Sequence, residues 1–266
     1  MGILFLIVDG LNLIRRVYAA TPEGEPSAHF DAALGATAQS LHRALAEHSP
    51  THAVVVFDGA EPTWRHELYL DYKAGRKPMP EELRAGLDRY REAFSKLGVS
   101  SVSKPGIEAD DVVATLATGV AAHDGKAIIL STDTAFCQLI SERILVRDHF
   151  QKRALDEGYV QQKFGVGPEH LVDLWSLAGS TTTHIPGVPG VGVKTAAKLL
   201  EEHGSLERVL QAAPGMKGKL RESLQANVEL ARLSQKLSRL RADLELGWNL
   251  RAFRIGRIGR IGRVGG

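Results

Sequence analysis

Ile3-Leu-Phe-Leu-Ile-Val-Asp-Gly10 is an uninterrupted apolar run closed by a carboxylate and a glycine. With no polar residue to face water, a strand made of it is covered on both sides. It lacks the basic leader and small-residue cleavage site of a signal peptide. Short apolar runs recur at Ala53–Phe57, Val99–Val102, Ala127–Leu130 and Ile144–Val146. Helical patterns lie between them, clearest over Asp31–Glu47, Glu81–Leu97 and Glu108–Ala122. Buried strands alternating with helices predict an α/β fold with a mainly parallel central sheet flanked by helices. After Phe150 the apolar runs stop, and Leu155–Leu237 reads as short helices with glycine breaks. The expected organisation is an α/β core over 1–152, a helical domain over 153–250, and a low-complexity tail of repeated Ile-Gly-Arg over 251–266. Glu61–Pro80 holds few core residues and reads as a long exposed loop.

The 266 residues suffice for one large domain or a core with a smaller companion. A hydrophobic share of 44% is ordinary for a soluble globular protein. The single cysteine, Cys137, excludes an internal disulfide framework and fits a reducing cytoplasm. No apolar run approaches the roughly 20 residues of a membrane span. The expectation is a cytoplasmic, non-membrane monomer. Net charge is +2, but five arginines fall in the last sixteen residues, leaving 28 basic against 31 acidic residues elsewhere. Contact with a polyanion must therefore come from local patches. No Gly-x-Gly-x-x-Gly follows the first run and no Walker lysine motif occurs, which disfavours a nucleotide-binding enzyme.

Sites in parallel sheets form at the carboxyl ends of the strands. Asp9 and Asp58 close the first two runs, Glu108, Asp110 and Asp111 open the helix after the third, and Asp133 follows the fourth. Singly, each reads equally well as a cap or first-turn acid. Together they repel one another unless a cation sits among them. An all-oxygen donor set suits Mg²⁺ or Mn²⁺ better than zinc.

Two further segments carry recognition chemistry. In Ile185-Pro-Gly-Val-Pro-Gly-Val-Gly-Val-Lys-Thr195, Gly187, Gly190 and Gly192 allow unusual backbone conformations and close approach to a ligand. The turn feeds a helix whose amides, with Lys194, suit a phosphate. The same pattern also serves an ordinary helix–turn–helix connection. In Asp71–Leu83, Lys73 and Arg76 flank Tyr72, a set able to grip phosphates and stack an unpaired base. Standing alone it is also a solvated charge run.

These features occur in one order: Ile7-Val-Asp-Gly10, Phe57-Asp-Gly59, Tyr72-Lys-x-x-Arg76 with Pro80-Glu-Glu-Leu83, Glu108-Ala-Asp-Asp111, Ser131-Thr-Asp133, Phe136-Cys-Gln-Leu139, Leu177-Ala-Gly179 and Ile185–Thr195. Over about residues 3–250 this resembles the flap endonuclease family, the 5′ nuclease domains of bacterial DNA polymerases. Asn12-Leu-Ile-Arg-Arg16 and Phe150-Gln-Lys-Arg153 narrow the likeness to small stand-alone bacterial members. The resemblance implies metal-assisted phosphodiester hydrolysis of DNA with 5′ flaps or other branches. It implies that Asp9, Asp58, Glu108, Asp110, Asp111 and Asp133 are metal-site carboxylates, with Asp110 the most secure. It implies arch residues Tyr72, Lys73 and Arg76 against the DNA, with Lys73 and Arg76 at the scissile phosphate. It also implies a helix-hairpin-helix clamp at Gly190, Val191, Gly192, Val193, Lys194 and Thr195. The resemblance implies that the carbonyls of Leu177, Ala178, Pro186, Val188 and Val191 hold K⁺ there. The chain departs from the family at Ala135, Ser180 and Thr183, where most members carry second-metal carboxylates. A branched-DNA-binding protein with little nuclease activity is the alternative. His184 beside the turn reads as a solvated loop histidine or as a donor replacing the lost charge.

Overall fold

The structure, a computed structural model, describes residues 2–22, 24–59 and 62–256. Six strands form one sheet: β1 (Leu4–Asp9), β2 (His52–Val56), β3 (Ser100–Val102), β4 (Lys126–Leu130), β5 (Ile144–Asp148) and β6 (Arg153–Ala154). Their order is β3-β2-β1-β4-β5-β6, all parallel except the β5–β6 pair. Side chains alternate across β1. Phe5 and Ile7 enter one apolar cluster and Leu6 and Val8 the other, all four with no exposed surface. Burying each such side chain contributes roughly 1.5–3 kcal/mol. That is why β1 occupies the sheet centre.

Helices α1 (Gly10–Ala20), α2 (Pro26–His48), α3 (Trp64–Leu68), α4 (Glu81–Ala85) and α5 (Leu87–Lys96) precede β3. Helices α1, α2 and α5 cover the Leu6 face, and α6 (Ala109–Ala122) covers the other. The helical pattern expected over Glu81–Leu97 is divided at Gly86. A Cβ there would lie 2.2 Å from the Phe30 ring, so the chain bends where it passes that aromatic.

The second half holds α7 (Glu157–Phe164), α8 (Leu171–Ala178), α9 (Val193–His203), α10 (Leu206–Ala212), α11 (Gly218–Ala226) and α12 (Val228–Ser238). These helices share the α6-side apolar cluster with the sheet. Strands do not end at Phe150. Arg153–Ala154 pair with Arg147–Asp148, so the boundary expected near residue 152 falls inside this hairpin.

Two other expectations are corrected. Residues 251–256 are not an appendage. Phe253 is buried and stacks on Phe5 with ring centroids 5.6 Å apart, and the Ile255 amide donates to the Thr51 carbonyl. The remainder of the expected tail, 257–266, lies outside the described residues. The 61–80 loop is not wholly exposed either. It contains α3, and Arg65 and Tyr72 fold inward. The strand order reverses between β1 and β4, and at that switch point a crevice opens at the carboxyl ends of the strands.

Candidate active site

The crevice is a cavity of about 550 Å³ lined by Asp9, Asp58, Asp110 and Asp133 together with Lys73 and Arg76. Each carboxylate is held by its local structure. Asp9 caps α1 by accepting the Asn12 amide at 3.1 Å and also accepts the Ser131 hydroxyl at 2.9 Å. Asp58 accepts the Ala109 amide, fixing the start of α6. Asp133 accepts the Ala135 amide at the head of a 3₁₀ turn. Asp110 projects from the first turn of α6.

Two of these carboxylates respond to burial and to their acidic neighbours. Burial, followed by the fields of Asp133 and Asp58, pushes Asp9 up to about 7, although its two hydrogen bonds act the other way. Asp110 is raised well above the usual carboxylate range by burial, with Lys73 opposing and Asp133, Asp9 and Asp58 adding. Such a set suits a hard divalent cation, whose charge relieves the repulsion. Among the described residues no three acidic or histidine side chains close into a metal cage. Oxygen donors around an open cavity fit an ion that keeps part of its water shell, as Mg²⁺ does.

Two of the six expected carboxylates do different work. Asp111 is fully buried and faces away from the cavity. It accepts Arg65 Nη1 and Nη2 at 2.9 and 2.8 Å, the Trp64 indole at 2.9 Å and the Arg241 amide at 3.0 Å. Glu108 reaches the cavity edge but is bound by Arg65 Nη1, by Lys73 Nζ at 2.6 Å and by the Tyr72 hydroxyl at 3.3 Å. Arg65 also donates to the carbonyls of Leu237, in the last turn of α12, and of Arg239 just after it. A guanidinium has five donors, and here they join α3, α6 and the end of the helical half. Arg65 has no composition signature, and only its burial reveals it.

Burial opposes the Lys73 charge, yet Asp110 and Glu108 hold its pKa above the ordinary lysine value. Lys73 is therefore a fixed cation facing the acids. Tyr72 is corrected from a base-stacking residue to a buried one. It is 5% exposed, packs on Ile185 and Leu237, and its ring lies edge-on to His66. The loop closes on the segment before the glycine turn: the Lys73 amide donates to the Thr183 carbonyl at 2.9 Å and Arg76 Nε to the Thr182 carbonyl at 3.1 Å. Ala135, Ser180 and Thr183 line a neighbouring cavity of about 100 Å³, where Ser180 bonds both Thr182 and Thr183. His184 is exposed, with φ of 55°.

The glycine turn connects α8 and α9. Gly187 has φ of 64°, and a Cβ there would sit 2.3 Å from the Gly179 amide nitrogen. Its own amide donates to Ser234 of α12. Gly187→Ala is therefore expected to loosen this turn and lower Tm, read by thermal melting against an unchanged sheet signal in far-UV circular dichroism. Gly190 also has positive φ, but Gly192 is extended at φ of −91° and needs no glycine for conformation. Of the expected carbonyl ligands, Leu177 already accepts the Val188 amide and Val188 the Val191 amide, each keeping one lone pair. Val193, Lys194 and Thr195 form the uncapped first turn of α9, apart from the carboxylate cavity.

Residues 4–165 match the 5′-3′ exonuclease N-terminal resolvase-like domain, and 166–260 match the 5′-3′ exonuclease C-terminal SAM fold. A protein named flap endonuclease Xni from Pectobacterium carotovorum subsp. carotovorum is 45% identical over 257 residues, 96% of each chain. The fold is shared with T5 5′-exonuclease bound to zinc, at TM-score 0.73 and 23% identity over 90% of each chain. It is shared more distantly with the catalytic core of Rad2 in complex with DNA substrate, at TM-score 0.59 and 16% identity over 96% of this chain and 83% of that one. No helix among the described residues is long and apolar enough to cross a membrane. Sequence match over both halves, together with the shared fold, shows that the chain belongs to the 5′-3′ exonuclease family.

Proposed function

We propose that this protein is a Mg²⁺-dependent, structure-specific endonuclease that hydrolyses phosphodiesters in DNA with 5′ flaps or other branches, acting as a monomer. The observation that carries this reading is one cavity that four aspartates line together with Lys73 and Arg76, two of them, Asp9 and Asp110, raised by burial and by their acidic neighbours. Asp9, Asp58, Asp110 and Asp133 would hold the divalent cation, Mn²⁺ being an acceptable substitute. A bound cation supplies Lewis-acid polarisation of the phosphate. Lys73, immobilised by Glu108, and Arg76 stabilise negative charge as it grows on phosphorus oxygens. In hydrolysis a water oxygen bonds to phosphorus, one ester bond breaks, and the leaving oxygen takes a proton. The amides of Val193–Thr195 and the charge of Lys194 would grip a duplex phosphate, and K⁺ would sit on the turn carbonyls. The test is cleavage of a labelled 5′-flap duplex in Mg²⁺. No cutting of any branched substrate at high Mg²⁺ sinks the nuclease reading.

A second reading, branched-DNA binding with little cleavage, is favoured by the hydroxyl-lined cavity at Ala135, Ser180 and Thr183. Replacing all three by aspartate is expected to raise the cleavage rate without tightening DNA binding.

Cation and proton compete for the same carboxylates. Asp9 has a folded pKa near 7 against an ordinary 3.8, so the folded state holds its proton more tightly. Its stabilisation is complete below 3.8 and is lost as pH rises through about 7. Mg²⁺ is therefore expected to raise Tm more at about pH 8 than at about pH 5. Equal shifts at both values argue against binding at these acids.

A further inference from the structure

Asn12–Arg16 and Phe150–Arg153 lie far apart in the chain but meet beside the carboxylate cavity. Asp148 accepts the Phe150 and Gln151 amides at 3.1 and 3.0 Å, which fixes the turn between β5 and β6. The turn presents Phe150, 39% exposed, with Lys152 and Arg153. The Arg16 guanidinium lies 5.8 Å from the Phe150 ring centroid and donates to the Thr132 hydroxyl at 2.8 Å. Asn12, which lines the carboxylate cavity, bonds the same hydroxyl at 3.0 Å. The aromatic platform is thus linked to the acids through Thr132 and its neighbour Asp133.

Phe150 also lines a cavity of about 360 Å³ that includes the apolar Val17, Ala20, Ala32 and Ala36, with Arg43 among its lining. Neighbouring acids are already engaged: Glu47 with Arg147, and Asp148 with the turn amides and, through its other oxygen at 4.0 Å, with the exposed Arg153. Lys152 holds a left-handed backbone at φ of 50°, a conformation in which glycine is relaxed and lysine is strained. Exposed aromatic surface, an apolar recess and cations at its edge are the chemistry of single-stranded nucleic acid, whose bases stack while phosphates meet positive charge.

We propose that this platform binds a single-stranded DNA arm of the branched substrate. One unpaired base stacks on Phe150 over the recess, and flanking phosphates lie against Arg16, Lys152 and Arg153. The inference rests on the DNA reading above and identifies where an unpaired strand is held.

The test compares fluorescence anisotropy for a labelled duplex with and without a single-stranded thymidine arm, with Ca²⁺ in place of Mg²⁺. The wild type is expected to prefer the armed duplex. Phe150→Ala is expected to weaken armed-DNA binding by roughly 5- to 140-fold, the range for losing one stacked base, and to leave the plain duplex unchanged. Lys152→Gly is expected to lower the salt slope for armed DNA by about 0.7, one single-strand phosphate contact, while Tm holds or rises as the turn relaxes. No wild-type preference for the arm, or equal losses on both DNAs, overturns the platform. Flap cleavage in Mg²⁺ is scored separately. Cleavage with unaltered arm binding in Phe150→Ala removes the platform and spares the nuclease. Arm-specific loss in a protein that cuts nothing does the reverse.

Discussion

Asp110→Asn is expected to lower flap cleavage by about 10³-fold or more at saturating Mg²⁺, the scale of losing several kcal/mol of transition-state charge stabilisation. The change is nearly isosteric and removes a carboxylate that faces both the other acids and Lys73. Folding should survive, because the lost charge is one that burial and three like neighbours already disfavour. Single-turnover cleavage and Tm, measured on the same preparation, check both halves. A variant that cuts at the parental rate would remove Asp110 from the reaction. A variant that unfolds would show the residue to be structural.

Arg65→Met should behave in the opposite way, with stability lost first. The guanidinium is 1% exposed and pairs with Glu108 and Asp111, both buried. Removing one partner of a buried ionic cluster leaves the others uncompensated, at a cost of roughly 3–5 kcal/mol. The urea midpoint is expected to fall accordingly. Arg84→Ala, by contrast, breaks an exposed i,i+3 pair with Glu81 and is expected to leave the midpoint where it was. Arg65→Met should also free Glu108 and so loosen Lys73, lowering the cleavage rate at temperatures where the variant is still folded. An unchanged midpoint would mean that the cluster relaxes by admitting water or a proton, which a burial-based account does not allow.

Much of the architecture could be read along the chain. Uninterrupted apolar runs leave no polar face, so the strands had to be covered on both sides, and the carboxylates closing them had to gather at one sheet edge. Asp9, Asp58 and Asp133 follow from that rule. Other features were hidden because the chain sets burial through distant partners. Phe253 lies in a basic, glycine-containing segment, yet it stacks on Phe5 of the first strand. Tyr72 reads as an accessible ring between cations, yet Ile185 and Leu237 cover it. Arg65 reads as one more charge in a basic loop, and its partners come from α6 and from the C-terminal end of α12.

The helix start Glu108-Ala-Asp-Asp111 shows where the two kinds of information divide. The sequence by itself determined that acids cluster at the opening of a helix beside two strand ends. It did not determine which of them faces the cavity. Neighbouring positions on an α-helix differ by about 100° around its axis. Asp110 consequently lines the open cavity, while Asp111 points into the core and needs the Arg65 guanidinium there. Only the tertiary structure decided that one carboxylate stays open to the cavity and its neighbour is used to hold the fold together.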